Sequence, residues 1–422
     1  MSAILDNLNQ EQRLPAEQSN GAILVTAGAG SGKTRMLTHR IAHLVFDENV
    51  PKCNILAITF TNKAANEMKE RLEKMLGDVS AMWICTFHAM CSRILRREAE
   101  NIGYTSNFSI YTDVEKDRTI KRILENKNTN INADTIGWHI SNAKNHLMDP
   151  EEYSQYIADP KKRDVITKCF TEYEATLKHC NALDFDDLLN KTYELFRTKP
   201  EVLRYYQEKF QYIHVDEFQD TNKAQYELVR LLSEKYGNIF VVGDEDQCIY
   251  SWRGADVTNV NSFTKDFKNV KIFKLEQNYR STKKILEVAN KLIKRNENRL
   301  DKLLWTENGE GTKVETHTTY NETEEAEYVA ETIKNLVSYY GYKYNDFAVL
   351  MRVNSLSRII EEKFITYGVP YKVYGGFKFF ERKEIKDIIA YLRLIHNPHD
   401  DEATRRMLAF PKPGIGDVAV AN

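Results

Sequence analysis

At 422 residues the chain has room for about three domains of ordinary size. With 42% hydrophobic and 28% charged residues it has the balance of a globular protein rather than of a disordered chain. A net charge of −2 gives no overall attraction to nucleic acid, and no apolar run approaches the length of a membrane span. Cys53, Cys85, Cys91, Cys169, Cys180 and Cys248 form no C-x-x-C pair, which speaks against a zinc site, an iron–sulfur cluster or a disulfide framework. The N-terminus lacks the basic and apolar regions of a signal peptide, so a reducing cytoplasm is expected.

In chain order, Ala22 to Val25 reads as a short buried strand, and Thr34 onward reads as a helix with apolar residues at three-to-four spacing. Between them lie Ala27, Gly28, Ala29, Gly30, Ser31, Gly32, Lys33 and Thr34, an A-x-x-x-x-G-K-T loop. Glycines allow the backbone to turn its N–H groups toward phosphate oxygens at a helix N-terminus, where the dipole also favours an anion. Lys33 is placed to reach the outer phosphates and Thr34 to bind Mg²⁺, so the loop reads as a nucleoside triphosphate site.

"CNILAITF" (53–60) and "AMWICTF" (81–87) are predicted strands, each followed by a helix. The first helix, 62–76, should bury Ala65, Met68, Leu72 and Met75. This rhythm predicts an α/β fold with a parallel sheet. Strands disappear from about 109 to 180, which reads as a helical insertion. They return at 211–218, 238–245 and 270–279. A second βα block is expected from 282, with strands at "KVETHTTY", "DFAVLMRV" (346–353) and "PYKVYGG" (370–376) and a helix closed by Gly368. A further helix is predicted over 384–396. Basic clusters at Arg93, Arg96 and Arg97, at Lys116, Arg118, Lys121 and Arg122, and at Lys161, Lys162 and Arg163 read as solvated faces unless another feature makes them a DNA track.

"YIHVDEFQDTN" puts Asp216 and Glu217 at the end of an apolar strand. Asp216 can hold Mg²⁺ through water, and Glu217 can take a proton from the attacking water. In "VVGDEDQCIYSWRGA" Gln247 is placed to contact the γ-phosphate, and Tyr250, Trp252 and Arg253 offer a stacking platform for bases, unless the two aromatics are core. Arg280 in "LEQNYRS" can complete the charge cage around the γ-phosphate, although a lone arginine is commonly a surface residue.

These segments, in this order, resemble the superfamily 1 DNA helicases of the UvrD/Rep/PcrA group, with "LNQEQ", "AITFTNKAANEM", "TFHAMCSRILR", "LDFDDLL" and "GGFKFFERKEIKDIIAYLRL" extending the match over nearly the whole chain. The resemblance implies two RecA-like lobes, each with a helical insertion, that close on ATP and pull single-stranded DNA in the 3′-to-5′ direction. It implies that Gln12 bonds the adenine and that Arg35 and Tyr279 sandwich it. Phe60, Asn62, His88, Phe185, Tyr250, Trp252 and Arg253 would line the strand, with Arg352 and Asn354 touching it from the second lobe. ATP and Mg²⁺ are the implied cofactors, and single-stranded DNA and single-strand/duplex junctions the implied partners, with no membrane.

On this basis residues 1–108 and 181–281 form the first RecA-like lobe and 109–180 its insertion. Residues 282–376 form the first half of a second RecA-like lobe, and 377–422 begin a second insertion. The later motifs of the family, T-x-H-x-x-K-G and an arginine-bearing V-A-x-T-R, do not occur in these 422 residues. The expectation is therefore an N-terminal portion that binds ATP and single-stranded DNA but unwinds poorly. The alternative is a non-catalytic, ATP-dependent single-strand-binding module, against which intact Glu217 and Arg280 argue.

Overall fold

The computed structural model describes residues 4–125, 127, 129–249, 254, 256, 258–296, 302–374 and 382–409. Its strands are β1 (Ala22–Ala27), β2 (Ile55–Thr59), β3 (Trp83–Thr86), β4 (Ser109–Ile110), β5 (Ala182–Leu183), β6 (Tyr212–Val215), β7 (Ile239–Gly243) and β8 (Lys271–Leu275). Its helices are α1 (Gln10–Ala16), α2 (Lys33–Phe46), α3 (Asn62–Leu76), α4 (Phe87–Glu98), α5 (Asp113–Glu125), α6 (Ala133–Asn145), α7 (Pro150–Ser154), α8 (Pro160–His179), α9 (Phe185–Thr198), α10 (Pro200–Lys209), α11 (Lys223–Ser233), α12 (Thr258–Asp266), α13 (Lys283–Ile293), α14 (Glu322–Tyr340), α15 (Ser357–Tyr367), α16 (Lys383–His396) and α17 (Asp401–Ala409).

Six strands form one parallel sheet in the order β3-β2-β6-β7-β1-β8. The central strands are buried and mostly apolar, with Thr26 of β1 and His214 of β6 as buried exceptions, because helices cover both faces. Leu24, Leu56 and Val241 point into one core with Phe87, Leu188 and Leu228, while Ile23, Ala57 and Phe240 point into the other with Met36, Leu37 and Met68. Side-chain caps start the flanking helices, Thr61 accepting from the Ala64 N–H and Thr86 from the Ala89 N–H. The buried stripe of α3 is Ala65, Met68, Leu72 and Leu76, so Leu76 takes the place expected for Met75. A helix advances 100° per residue, and Leu76 lies closer to the line of Leu72.

Helices α5 to α8 have a core of their own around Ile120, Ile136, Ile140, Phe170 and Tyr173, entered and left through the β4–β5 pair. A buried lysine ties this layer to the sheet layer. Lys144 Nζ lies 2.7 Å from Glu174, 2.7 Å from Asp187 and 3.1 Å from Asp184, the residue that caps α9. The basic clusters are largely consumed within the fold. Arg93 and Arg97 stack on Trp83 and Tyr205, Arg96 donates to two carbonyls, Lys121 pairs with Asp117 and Arg122 with Glu402.

The described residues of Met1–Thr312 with Arg393–Arg405 form one compact unit, and those of Lys313–Leu392 with the end of α17 form another. The expected segments 282–376 and 377–422 are each divided between these two units. Trp305 N–H donates to the Glu276 carbonyl and Asn278 N–H to that of Trp305, which holds the chain after α13 against the end of β8. Asn397, fully buried, donates to Ser109 Oγ and to the Cys180 and Asn181 carbonyls, which seats 393–405 at the β4–β5 pair.

In the second unit α14 and α15 enclose Ala330, Ile333, Phe364 and Val369, and Gly368 ends α15 in the left-handed region with φ 67°. The three strands predicted there are not formed among the described residues. Their described residues have no ladder partner there; Phe347 and Val349 pack partly against this core, while Tyr320 is 97% and Leu350 94% exposed. An alternating pattern becomes a strand only where a neighbour takes its backbone hydrogen bonds.

Candidate nucleotide and nucleic-acid site

The glycine loop between β1 and α2 is held from outside by its carbonyls. Ala29 O accepts from Asn278 Nδ2 at 2.6 Å, Gly30 O from the Tyr279 N–H at 2.9 Å and Ser31 O from Gln12 Nε2 at 2.8 Å. Gly30 and Gly32 have φ of 69° and 82°, with Gly32 at the N-cap of α2. With the carbonyls turned outward, the N–H groups of Ala29, Gly30, Gly32, Lys33 and Thr34 have no protein acceptor among the described residues. The buried Ser31 hydroxyl likewise has no partner among the described residues. Such a set of unsatisfied donors at a helix start fits a polyphosphate.

Facing the loop, Lys33 Nζ lies 3.1 Å from Glu217 Oε2. Glu217 sits in the left-handed region, φ 50° and ψ 46°, an unfavourable place for a non-glycine residue. Its N–H donates to Asp216 Oδ1 at 3.0 Å, and Gln219 Nε2 donates to its carboxylate at 3.0 Å. Gln219 Oε1 in turn accepts from the Asp244 N–H at 2.9 Å. Burial, and then the charge of Glu217, push the Asp216 carboxyl up to about 7, while Lys33 pulls it down. The same two causes push Asp220 up to about 6. A crowded carboxyl cluster with one lysine is short of positive charge, which fits a divalent cation at Asp216 and Thr34.

The native state thus holds the Asp216 proton more tightly than the unfolded chain, whose ordinary carboxyl value is 3.8. Stability is lost as pH rises from about 4 to about 7 and stays lost above. Asp216→Asn should raise the melting temperature of the nucleotide-free protein at pH 8 and give no gain near pH 4. The gain is a few kcal/mol at most, at ~1.4 kcal/mol per tenfold in proton affinity. A melting difference that does not change with pH would contradict this assignment.

Other expected nucleotide residues gather around the loop. Gln12 is buried, and its carboxamide is already engaged at both ends, by Ser31 O and by the Asn9 N–H of a capping box. One N–H and one lone pair remain for a base. Tyr279 is half exposed, its hydroxyl accepting from Asn9 and donating to Gln277, and the charge of Arg35 acts on it. Arg35 is exposed and donates to Asn7 O. The base of the Arg280 side chain flanks Gly30, its Cβ 2.8 Å from where a Gly30 side chain would begin. Gln247 donates to Asp244 Oδ2. Sequence reasoning gave no role to Gln219 or to Lys302, which lies among Asp244, Glu245 and Asp246.

A cavity of about 610 Å³ opens between the insertion and the sheet layer. It brings together Phe60, His88 and Phe185 of the expected strand path. His88 and Phe185 meet edge to face at 5.9 Å, and burial depresses the His88 imidazole below its ordinary value, against the pull of Asp186. Phe185 follows the Asp184 cap and is 46% exposed. Trp138 of α6, 56% exposed, stands on the same wall. Its sequence signal is its place off the Ile136–Ile140–Ala143 stripe that α6 buries.

Asn62 is exposed and does not line the cavity. Tyr250, Trp252 and Arg253 lie outside the described residues, while Gly254, next in the chain, lines the cavity against Asn145. Arg352 and Asn354 are exposed residues of the second unit.

Comparison with known families places residues 8–268 in the UvrD/REP helicase N-terminal domain and residues 273–422 in the UvrD-like helicase C-terminal domain. The chain thus carries sequence of both domains, which corrects the expectation of an N-terminal portion alone. It is 50% identical over 417 residues to the ATP-dependent DNA helicase PcrA of Bacillus subtilis strain 168, covering 98% of this chain and 56% of that protein. It is 49% identical over 426 residues to PcrA of Staphylococcus aureus strain Mu50, covering 100% of this chain and 58% of that protein. The chain therefore spans somewhat over half the length of the curated relatives it matches.

Proposed function

The chain belongs to the UvrD/REP helicase family, and on that premise we propose that it is the ATP- and single-strand-binding part of a 3′-to-5′ DNA helicase and translocase of the repair or replication type, working on single strands and single-strand/duplex junctions in the cytoplasm. Residues 1–108 and 181–281 serve as the first RecA-like lobe, 109–180 as its insertion, 282–376 as part of the second lobe and 377–422 as the start of a second insertion. The observation that carries the reading is the segment 216–222. Asp216 and Glu217 stand at the phosphate loop, while Asp220 and Asn222, three to five residues on, line the cavity that holds Phe60, His88 and Phe185. Gln219 donates to both Glu217 and Asp220, so a change at one end is felt at the other.

In this reading the loop N–H groups and Lys33 bind the phosphates, and Gln12, Arg35 and Tyr279 hold the base. Thr34 and Asp216 hold Mg²⁺, which when bound draws charge from the phosphate oxygens. Glu217 orients the attacking water and takes its proton. Gln247 and Arg280 meet charge that develops on the γ-phosphate. Phe60, Asn62, His88, Phe185, Tyr250, Trp252, Arg253, Arg352 and Asn354 contact the strand, and stacking tolerates any base.

These 422 residues contain one arginine of the pair that the family brings to the γ-phosphate. An arginine finger is worth about 10³–10⁵ in rate, so hydrolysis by this chain should be weak and strand separation absent. A forked-duplex assay with parallel binding titrations tests this. Preference for single strands over blunt duplex, affinity falling with salt, and no unwinding are expected, with unwinding restored in a protein of the relatives' full length. Robust ATP-dependent unwinding by the 422 residues would reject the impairment. Equal binding to blunt duplex would reject the single-strand path.

A further inference from the structure

Lys302 is almost wholly buried, and its ammonium lies 2.6 Å from Asp244 Oδ1, 2.9 Å from Glu245 Oε1 and 3.0 Å from Asp246 Oδ2. Three consecutive carboxylates around one cation would repel one another without it, and burial makes the repulsion stronger. Burial works against the lysine's own charge, and Asp244 and Glu245 outweigh it. The remaining oxygens of the group reach the nucleotide elements. Asp244 Oδ2 accepts from Gln247 Nε2, and Glu245 Oε2 accepts from the Thr26 hydroxyl at 2.9 Å, at the end of the strand that leads into the phosphate loop.

The segment that carries Lys302 is itself anchored to the site. Leu304 occupies the space over Gly28, where a Cβ would lie 2.1 Å from its Cδ2. Asn290 donates to Leu304 O at 2.8 Å, and Thr306 Oγ1 donates at 2.7 Å to the carbonyl of Asn278, whose side chain holds the loop at Ala29 O. A lysine on a flexible loop would neutralise the carboxylates without fixing them. Here its backbone is fastened to α13, to the end of β8 and against the phosphate loop, so the carboxylates are located as well as neutralised.

We propose that Lys302 is a positioning residue for Gln247, holding residues 244–247 in the one arrangement that presents the Gln247 carboxamide to a γ-phosphate. The inference rests on the reading of Gln247 given above. It makes the preference for a triphosphate over a diphosphate depend on a lysine that lies 55 positions from the glutamine in sequence.

The test is calorimetric titration of the 422-residue protein with Mg²⁺ and either a non-hydrolysable ATP analogue or ADP. Lys302→Gln should lower the preference for the triphosphate by about tenfold, the worth of one charge-assisted hydrogen bond, and leave ADP affinity unchanged. Gln247→Ala should do the same, the double variant should lose no more than either single one, and Lys302→Arg should keep the preference. If Lys302→Gln melts too early to titrate, Thr26→Val loosens the same segment from its other side and should show the same selective loss.

Equal weakening of ADP and the analogue by Lys302→Gln, or losses that multiply in the double variant, would overturn the inference while leaving Gln247 at the phosphate. An unchanged preference in Gln247→Ala would overturn the reading of Gln247 and this inference with it.

Discussion

Glu217→Gln should bind Mg–ATP as well as the parent or better and hydrolyse it about 10²–10⁴ more slowly, the range for losing a general base. The substitution keeps the shape of the side chain. A glutamine carbonyl can still accept from Lys33 Nζ and from Gln219 Nε2, so the contacts that hold residue 217 at φ 50° survive. What is lost is the ability to take a proton, together with a negative charge that would face the phosphates. Removing that charge also eases Asp216, whose proton is held partly by Glu217. Binding and chemistry should therefore move apart. Single-turnover hydrolysis with single-stranded DNA and protein in excess, beside a binding titration, reads both. Equal hydrolysis rates in the two proteins would remove Glu217 from the chemistry.

Lys33→Ala should move both quantities. Its ammonium stands against the acidic end of β6 and beside a loop of unsatisfied donors, and charge-assisted bonds to phosphate are worth ~1.5–3 kcal/mol, about one to two decades in affinity. The same lysine pulls down both Asp216 and Asp220. Without it their native carboxyls rise further above the unfolded value, so the nucleotide-free variant should go on losing stability above about pH 6 to 7, where the parent's loss levels off. A fluorescent ATP analogue measures the first effect and melting curves at several pH values the second. An affinity equal to the parent's would rule out the phosphate role.

Much of the site could be read because its parts are contiguous. The loop from Ala27 to Thr34 and the pair Asp216–Glu217 each have strand, turn and chemistry within a dozen residues, and the parallel sheet followed from apolar runs alternating with helical spacing. Lys302 could not be read this way. It stands in "RLDKLLWTEN" with nothing in its spacing to separate it from Lys294 or Lys313, and only the meeting of residues 244 and 302 gives it a role. Gln219 was visible in "DEFQD", but its link from Glu217 to the Asp244 backbone needs the β6 and β7 ends side by side. Asn397 could not be singled out in the sequence, because its acceptors come from positions 109, 180 and 181. The strands of the second unit failed for a different reason. Their alternation is real, but pairing is a property of two segments and a period belongs to one.

The order of strands in the sheet also sets a timetable for a chain made from its N-terminus. β1 lies between β7 and β8, so Ala22–Ala27 leaves the ribosome long before its first partner, Ile239–Gly243, exists. At about 5–20 residues per second that interval is roughly ten to forty seconds. During it an apolar strand and the glycine loop behind it have no sheet to join, whereas β2 meets β3 almost at once. The candidate nucleotide site, assembled around the last strands to arrive, should be among the latest parts of the first unit to form during synthesis.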